Sequence, residues 1–120
     1  MYGPLYVTGD DYKDTVCMVT GKPICVDNFR FLSVFSFDPR MIDMDGMAGL
    51  APDGVENGPS FVAALYDNKL IEKKMFGFVF GKGTRLNQIT FGGYDASLMA
   101  PNHTIHWFKQ TNLSRWEIDL

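Results

Sequence analysis

The sequence predicts an all-β fold with one short helix, and three observations lead to this fold class. Most apolar residues stand in short segments rich in β-branched and aromatic side chains, and Gly, Asn, Asp or Pro separates these segments. A single stretch shows helical spacing instead. Hydrophobic residues make up 46% of the 120 residues and aromatic residues 14%, which is typical of a packed globular protein.

The strand-forming segments follow one another along most of the chain. Turn chemistry at Gly21-Lys22-Pro23 joins two of them, and Gly81-Lys82-Gly83 joins two others, so both connections are predicted hairpins. In chain order, the predicted strands are residues 5–8, 15–19, 24–26, 29–34, 75–80, 89–91, 105–108 and 116–120.

One helix is predicted between these strands, over residues 60–68. Pro59 can occupy the first helical position because its ring fixes φ near the helical value. Phe61, Val62 and Leu65 then recur with helical spacing.

The two cysteines, Cys17 and Cys25, lie on opposite arms of the first predicted hairpin. This placement favours a disulfide between them, and the alternative is a pair of buried thiols. Two sequons, Asn102-His103-Thr104 and Asn112-Leu113-Ser114, are N-glycosylation acceptors if the chain passes through the secretory route. Together these features favour an oxidising compartment.

Charge and hydropathy argue against two classes of partner. The net charge is −3 and the longest basic run is Lys73-Lys74, so we expect no nucleic acid and no anionic membrane as a partner. No apolar run approaches the ~20 residues that a membrane helix needs. Residues 1–10 also lack the pattern of a signal peptide.

The sequence argues against three other candidate chemistries. The run Gly81-Lys82-Gly83-Thr84 leads to a strand instead of a helix N-terminus, so it is a turn and not a phosphate-binding loop. His103 and His106 are three apart in a predicted strand and point to opposite faces, so we expect no metal site there. A cysteine nucleophile is disfavoured because the disulfide uses both thiols. We expect no metal and no cofactor.

An ordered set of motifs resembles a known family. "FDPRMIDMDGMAGLAPDG" is followed by "GPSFVAALYDNKLIEKKMFGFVF" and then by "ITFGGYD". Upstream, Tyr2-Gly3 and Asp14-Thr15-Val16 keep the interval between the family's flap tyrosine and the D-T-V of the returning flap strand. The set is similar to the N-terminal lobe of the pepsin-like (cathepsin D-like) aspartic endopeptidases, and it covers nearly the whole chain. The resemblance implies part of the N-terminal lobe of a bilobal β-barrel protease.

The resemblance assigns a structural role to the glycine-rich middle of the chain. In the family, an apolar-apolar-glycine step crosses beneath the catalytic loop and completes a ψ-shaped arrangement; here that step is Met47-Ala48-Gly49. Glycine suits it because two backbones approach closely there. Asp45 and Gly46 form the turn before it, and Asp53 is likewise a turn residue. None of these acids is a catalyst.

The resemblance also implies substrate-binding residues. Tyr2 and Gly3 match the flap that closes over a peptide, although Pro4 lacks the N–H that the family's flap offers to substrate. Met44 and Met47 fall where the family lines the pocket for the residue before the scissile bond, with residues 35–37 as an added wall. Methionine would make this pocket apolar and adaptable. The alternative is that both methionines are core residues.

The family's catalytic residues are not in this sequence. The chemistry needs two Asp-Thr/Ser-Gly loops, one from each lobe, and no D-T-G or D-S-G occurs here. We therefore expect residues 1–120 to be a partial peptidase domain that is inactive alone. Its partners would be a peptide or protein substrate and the rest of the same polypeptide, in a lysosome, a vacuole or a secreted fluid. The alternative is a non-catalytic secreted β-domain that binds peptide or glycan.

Overall fold

The computed structural model describes residues 6–19, 22–41, 45–52, 58–81 and 87–119. These residues are mostly strand with one short helix, which confirms the predicted fold class. The strands are β1 (Val7–Met18), β2 (Ile24–Phe37), β3 (Phe76–Val79) and β4 (Gln88–Phe91), and the helix is α1 (Phe61–Asp67). Short 3₁₀ turns occupy Pro39–Met41 and Ala96–Leu98. The chain divides into two compact units, Met1–Gly49 and Leu50–Leu120.

The first unit is built on a long antiparallel hairpin. Val7 of β1 lies opposite Phe37 of β2 at one end, and Cys17 lies opposite Cys25 near the other. This confirms the first predicted hairpin, although Thr20 and Gly21 of its turn lie outside the described residues. Within the described part of the chain, no helix has both the length and the apolar character needed to cross a membrane.

Strand β2 is one continuous element where the sequence predicts two, residues 24–26 and 29–34. The pairing register shifts between Asp14 and Val16, so that Thr15 faces the two residues Asp27 and Asn28. Asn28 has a φ of 55°, a left-handed value that asparagine tolerates better than most residues. The Asp-Asn pair that suggests a turn in the sequence is therefore a β-bulge inside a strand.

A second register shift, between Thr8 and Gly9, is associated with very close strands. A Cβ built on Gly9 would lie 2.2 Å from the carbonyl oxygen of Ser33, far inside van der Waals contact. Only glycine allows this approach.

The second unit contains the helix that the sequence predicts. Ser60 is its N-cap, and its hydroxyl accepts a hydrogen bond from the N–H of Ala63 at 3.3 Å. Asn68 ends the helix and donates its N–H to the carbonyl of Ala64 at 3.1 Å. Val62 and Leu65 are buried, as their helical spacing requires. The prediction of a helix over residues 60–68 is confirmed, and these two bounds are its caps. Pro59 precedes the N-cap, so the expectation that it occupies the first helical position is wrong.

Strands β3 and β4 form the second antiparallel pair. Phe76 lies opposite Phe91, and Val79 lies opposite Gln88. This is the second predicted hairpin, but residues 82–86 of its connection lie outside the described residues.

The last two predicted strands are wrong. Residues 105–108 and 116–119 have no strand pairing, and Leu120 lies outside the described residues. A strand needs a hydrogen-bonded neighbour, and neither segment pairs with another strand in the described part of the chain. A local backbone hydrogen bond, from the N–H of Thr111 to the carbonyl of Glu117 at 2.9 Å, helps to close the loop that leads into the second segment.

Candidate functional site

The predicted substrate-binding residues are only partly described. Tyr2, Gly3 and Met44 lie outside the described residues, so their roles stay predictions. Met47 is described, and 47% of its surface is exposed. Both interpretations of Met47, as a pocket residue and as a core residue, stay predictions.

The turn residues near Met47 lie in irregular backbone. Asp45, Gly46, Ala48 and Gly49 are all exposed and belong to no helix or strand. A Cβ added at Gly46 would meet no atom within 4 Å, so this glycine is not required by packing against the described residues. The predicted close approach at Gly49 stays a prediction.

A cavity of about 260 Å³ lies within the Leu50–Leu120 unit. Its lining is mostly apolar, with a few polar groups at Ser60, Lys74 and Gln110. The apolar lining residues are Leu50, Ala51, Pro52, Val62, Phe76, Leu113 and Trp116. A space of this kind accommodates an apolar group and supplies no acid or base pair for chemistry.

Trp116 joins two sides of this cavity. Its indole N–H donates to the carbonyl of Leu50 at 2.7 Å, across 66 residues of sequence. Its ring meets the edge of Phe76 with ring centroids 5.7 Å apart. Such edge-to-face pairs stabilise beyond the area that they bury. The residue directly after Met47-Ala48-Gly49 is thus held by a long-range hydrogen bond that the sequence alone did not reveal.

A row of aromatic side chains continues this contact, with Phe76 and Phe78 in β3 and Phe80 directly after it. The ring centroids of Phe76 and Phe78 are 5.7 Å apart, and those of Phe78 and Phe80 are 5.8 Å apart. The row becomes more exposed along the strand, and Phe80 is 81% exposed. Alternate residues of a strand share one face, so the period of two in "FGFVF" is the signal that could have predicted the row.

The two cysteines form the predicted disulfide. Cys17 and Cys25 are bonded, which excludes the alternative of two buried thiols and leaves no free cysteine among the described residues. The bond ties β1 to β2 near the turn of the first hairpin.

A local ion pair that sequence reasoning missed lies directly after β2, at the other end of this hairpin. Asp38 is 5% exposed, and its carboxylate accepts from Nε of Arg40 at 2.8 Å and from Nη2 at 2.6 Å. The Asp38 N–H donates to the carbonyl of Tyr6 at 3.0 Å, which fixes the end of β2 beside the start of β1. The hydrogen bonds from the Arg40 side chain and N–H lower the pKa of Asp38 to about 2. The sequence signal that could have predicted this ion pair is Asp-Pro-Arg directly after a strand.

Both histidines belong to the Leu50–Leu120 unit. His103 Nδ1 lies 3.0 Å from the carbonyl of Pro101, and His106 belongs to an exposed segment without strand pairing. In residues 6–19, 22–41, 45–52, 58–81 and 87–119, no group of three His, Cys, Asp or Glu residues is placed to hold a metal ion.

Comparison with known proteins finds a distant relative. The chain is 31% identical over 97 residues to plasmepsin VIII of Plasmodium berghei (strain Anka), a pepsin-like aspartic protease. The match covers 77% of this chain and 25% of plasmepsin VIII, so the chain spans about a quarter of the length of the curated relative that it matches. No protein-family model and no solved structure matches the chain. The similarity points to the same family as the sequence motifs do.

Proposed function

We propose that this chain is part of a pepsin-like aspartic endopeptidase and contributes structure that faces the substrate. The observation that carries the proposal is the ordered set of family motifs, from Tyr2-Gly3 to the "GGYD" run that ends at Asp95. The 31% identity to plasmepsin VIII over 97 residues supports the same assignment.

In this proposal the reaction is hydrolysis of a peptide bond by an activated water. Two aspartates share a proton, and one activates the water while the other protonates the carbonyl oxygen of the substrate. Both aspartates come from Asp-Thr/Ser-Gly loops outside this sequence, since Asp14-Thr15 is followed by Val16.

Strand β1 supports a role as the returning strand of the flap. It begins five residues after Tyr2, and it is tied to β2 by the disulfide and by the hydrogen bond from the Asp38 N–H to the Tyr6 carbonyl. A flap must present its tip to the peptide while its supporting strand stays rigid, and these two ties restrict that strand. Tyr2 and Gly3 would then lie over the bound peptide.

The methionines give the proposed pocket its specificity. Met44 and Met47 would line the subsite for the residue before the scissile bond, and the exposure of Met47 is compatible with that role. Thioether side chains adapt to several shapes, so we expect a preference for bulky apolar residues at this position.

The disulfide supports a location in an oxidising compartment. For a protease of this class we propose a lysosome, a vacuole or a secreted fluid.

The experiment is a peptidase assay on the full-length protein that contains this chain. We expect it to cleave an apolar fluorogenic peptide most rapidly at acidic pH, and we expect pepstatin, the family's characteristic inhibitor, to abolish turnover. In the same protein Met47→Glu should raise KM for apolar peptides more than it lowers kcat, because it places a charge in the pocket. Met47→Leu is the matched control.

Two results would overturn the proposal. The first is a full-length protein that binds peptide without cleaving it, which would favour the non-catalytic β-domain. The second is pepstatin-sensitive turnover by residues 1–120 alone, because this sequence holds no Asp-Thr/Ser-Gly loop.

A further inference from the structure

The two sequons of this chain lie in different structural settings, and the difference bears on their modification. Asn102 stands at the tip of a turn, in which the N–H of His103 donates to the carbonyl of Ala100 at 3.2 Å. Pro101 is the second residue of this turn, and Asn102 is the third, with a φ of 63°. Proline followed by a residue with positive φ is the signature of a type II turn, where asparagine is readily accepted.

The Asn102 side chain is available at this tip. Asn102 and Thr104, the two residues that define the sequon, are both exposed. Among the described residues, none forms a hydrogen bond with the Asn102 amide. A glycan on its Nδ2 would therefore extend into solvent without breaking any contact in the described part of the chain.

Asn112, by contrast, uses its amide to hold a loop together. Its Oδ1 accepts hydrogen bonds from the N–H and the hydroxyl of Ser114, both at 2.9 Å. Its Nδ2 lies 3.4 Å from Oε2 of Glu117, and the Gln110 side chain donates to its backbone carbonyl. The residue is half-buried. A sugar on Nδ2 would occupy the space in which this nitrogen now faces Glu117. It would also crowd a loop that hydrogen bonds already close.

We propose that Asn102 is the N-glycosylated residue of this chain and that Asn112 is an unmodified cap of the loop from Gln110 to Glu117. The inference uses the proposed function only for entry into the secretory route. It does not depend on peptidase activity.

The experiment maps glycan occupancy on the full-length protein, secreted from a eukaryotic host. An amidase that converts glycosylated Asn to Asp, used in heavy-oxygen water, marks each occupied site for peptide mass spectrometry. We expect the label at position 102 and an unlabelled Asn at position 112. Thr104→Ala should remove the label at position 102 together with one glycan-dependent mass step, and Ser114→Ala should leave both unchanged.

A stability measurement tests whether Asn112 stabilises its loop or is only a sequon that carries no glycan. In protein from a host that does not glycosylate, Asn112→Gln should lower the thermal midpoint, since the longer side chain misplaces the acceptor for Ser114. Asn102→Gln is the matched control and should leave the midpoint nearly unchanged. A label at Asn112 equal to or above that at Asn102, or a secreted protein without glycan at Asn102, would overturn the proposal. Neither result would affect the peptidase assay.

Discussion

At Gly9 the two strands of the first hairpin approach each other very closely. Gly9→Ala would put a methyl group 2.2 Å from the Ser33 carbonyl oxygen, and backbone cannot move aside as a flexible side chain can. We expect a loss of about 1–3 kcal/mol in the free energy of unfolding, the usual cost of overpacking. Urea denaturation of the full-length protein measures it. The control is Gly93→Ala, where the added methyl meets no atom within 4 Å. Equal effects of the two substitutions would contradict the observed strand spacing.

The Asp38–Arg40 pair makes a pH-dependent prediction. The pKa of Asp38 is lowered to about 2 in the folded chain, against about 3.9 for a free aspartate. Its stabilising contribution is therefore complete above about pH 4 to 5 and is lost as the pH falls toward 2. Asp38→Asn should lower the thermal midpoint at about pH 6, and the difference from wild type should shrink between about pH 4 and pH 2.

The matched control for Asp38 is the other ion pair on the same hairpin. Asp11 and Arg30 are also linked, but both side chains are more than half exposed. Water screens such a pair, so Asp11→Asn should change the thermal midpoint little at any pH. A pH-independent effect of Asp38→Asn would show that lost packing, and not the ionised carboxylate, stabilises the hairpin end.

At the scale of elements, α1 depends on its N-cap. Ser60→Ala removes the hydroxyl that accepts from the Ala63 N–H, and we expect a loss of about 1 kcal/mol in unfolding free energy. Ser60→Asp keeps an acceptor at the same place and should retain most of the stability. Chemical denaturation of both variants tests this. If both variants lose the same stability, the cap does not hold the helix.

The disulfide supplies the corresponding test for the first hairpin. Cys17 and Cys25 are eight residues apart, and opening so short a loop should cost about 2–3 kcal/mol in the chain-entropy account. A Cys17→Ser, Cys25→Ser double variant measures this cost by denaturant titration. Alkylation of the folded wild type without reductant should label neither thiol, and ready labelling of both would contradict the bond.

These elements also show where sequence reasoning succeeds. The helix was predicted closely because its signals are local: Pro59 just before the N-cap and apolar spacing inside. The disulfide followed from cysteines placed across a turn. Strand β2 was split in two because an Asp-Asn pair reads as a turn, and only the pairing partner reveals a bulge. Residues 105–108 have strand composition, but composition cannot supply a neighbouring strand.

Less of the candidate site could be predicted from the sequence. Family motifs named Met47 and its surroundings, but they gave no reason to expect the hydrogen bond between Trp116 and Leu50. The Asp38–Arg40 pair was also missed: Asp-Pro-Arg is a local signal, but the burial of Asp38 and its hydrogen bond to Tyr6 depend on where β2 ends. Contacts between residues far apart in sequence require the fold, whereas turns and caps do not.

At the scale of the whole molecule, little apolar surface is buried. Among the described residues the buried hydrophobic side chains are those of Val26, Val62, Ala63 and Leu65. Many large apolar side chains are exposed, including Phe35, Phe80, Trp107, Leu113 and Trp116. Apolar surface of this extent is typical of a chain that packs against further protein.

Residues 1–120 expressed alone should therefore bind the dye ANS, associate at moderate concentration and unfold with a broad transition. Dye fluorescence and sedimentation velocity measure the first two properties, and circular dichroism on heating measures the third. The full-length protein is the control and should bind far less dye per mole. A monomeric, dye-free chain with a sharp transition would show that residues 1–120 form an independent domain.

The hydrogen bond from Trp116 to Leu50 has a consequence for biosynthesis. A ribosome adds about 5 to 20 residues per second, so Leu50 waits roughly 3 to 13 seconds after its own synthesis before its partner, 66 residues later, is made. During this interval Leu50 lacks the hydrogen bond that later holds it. A nascent chain that stalls between these two residues would keep Leu50 without this partner, and synthesis of Trp116 would supply it.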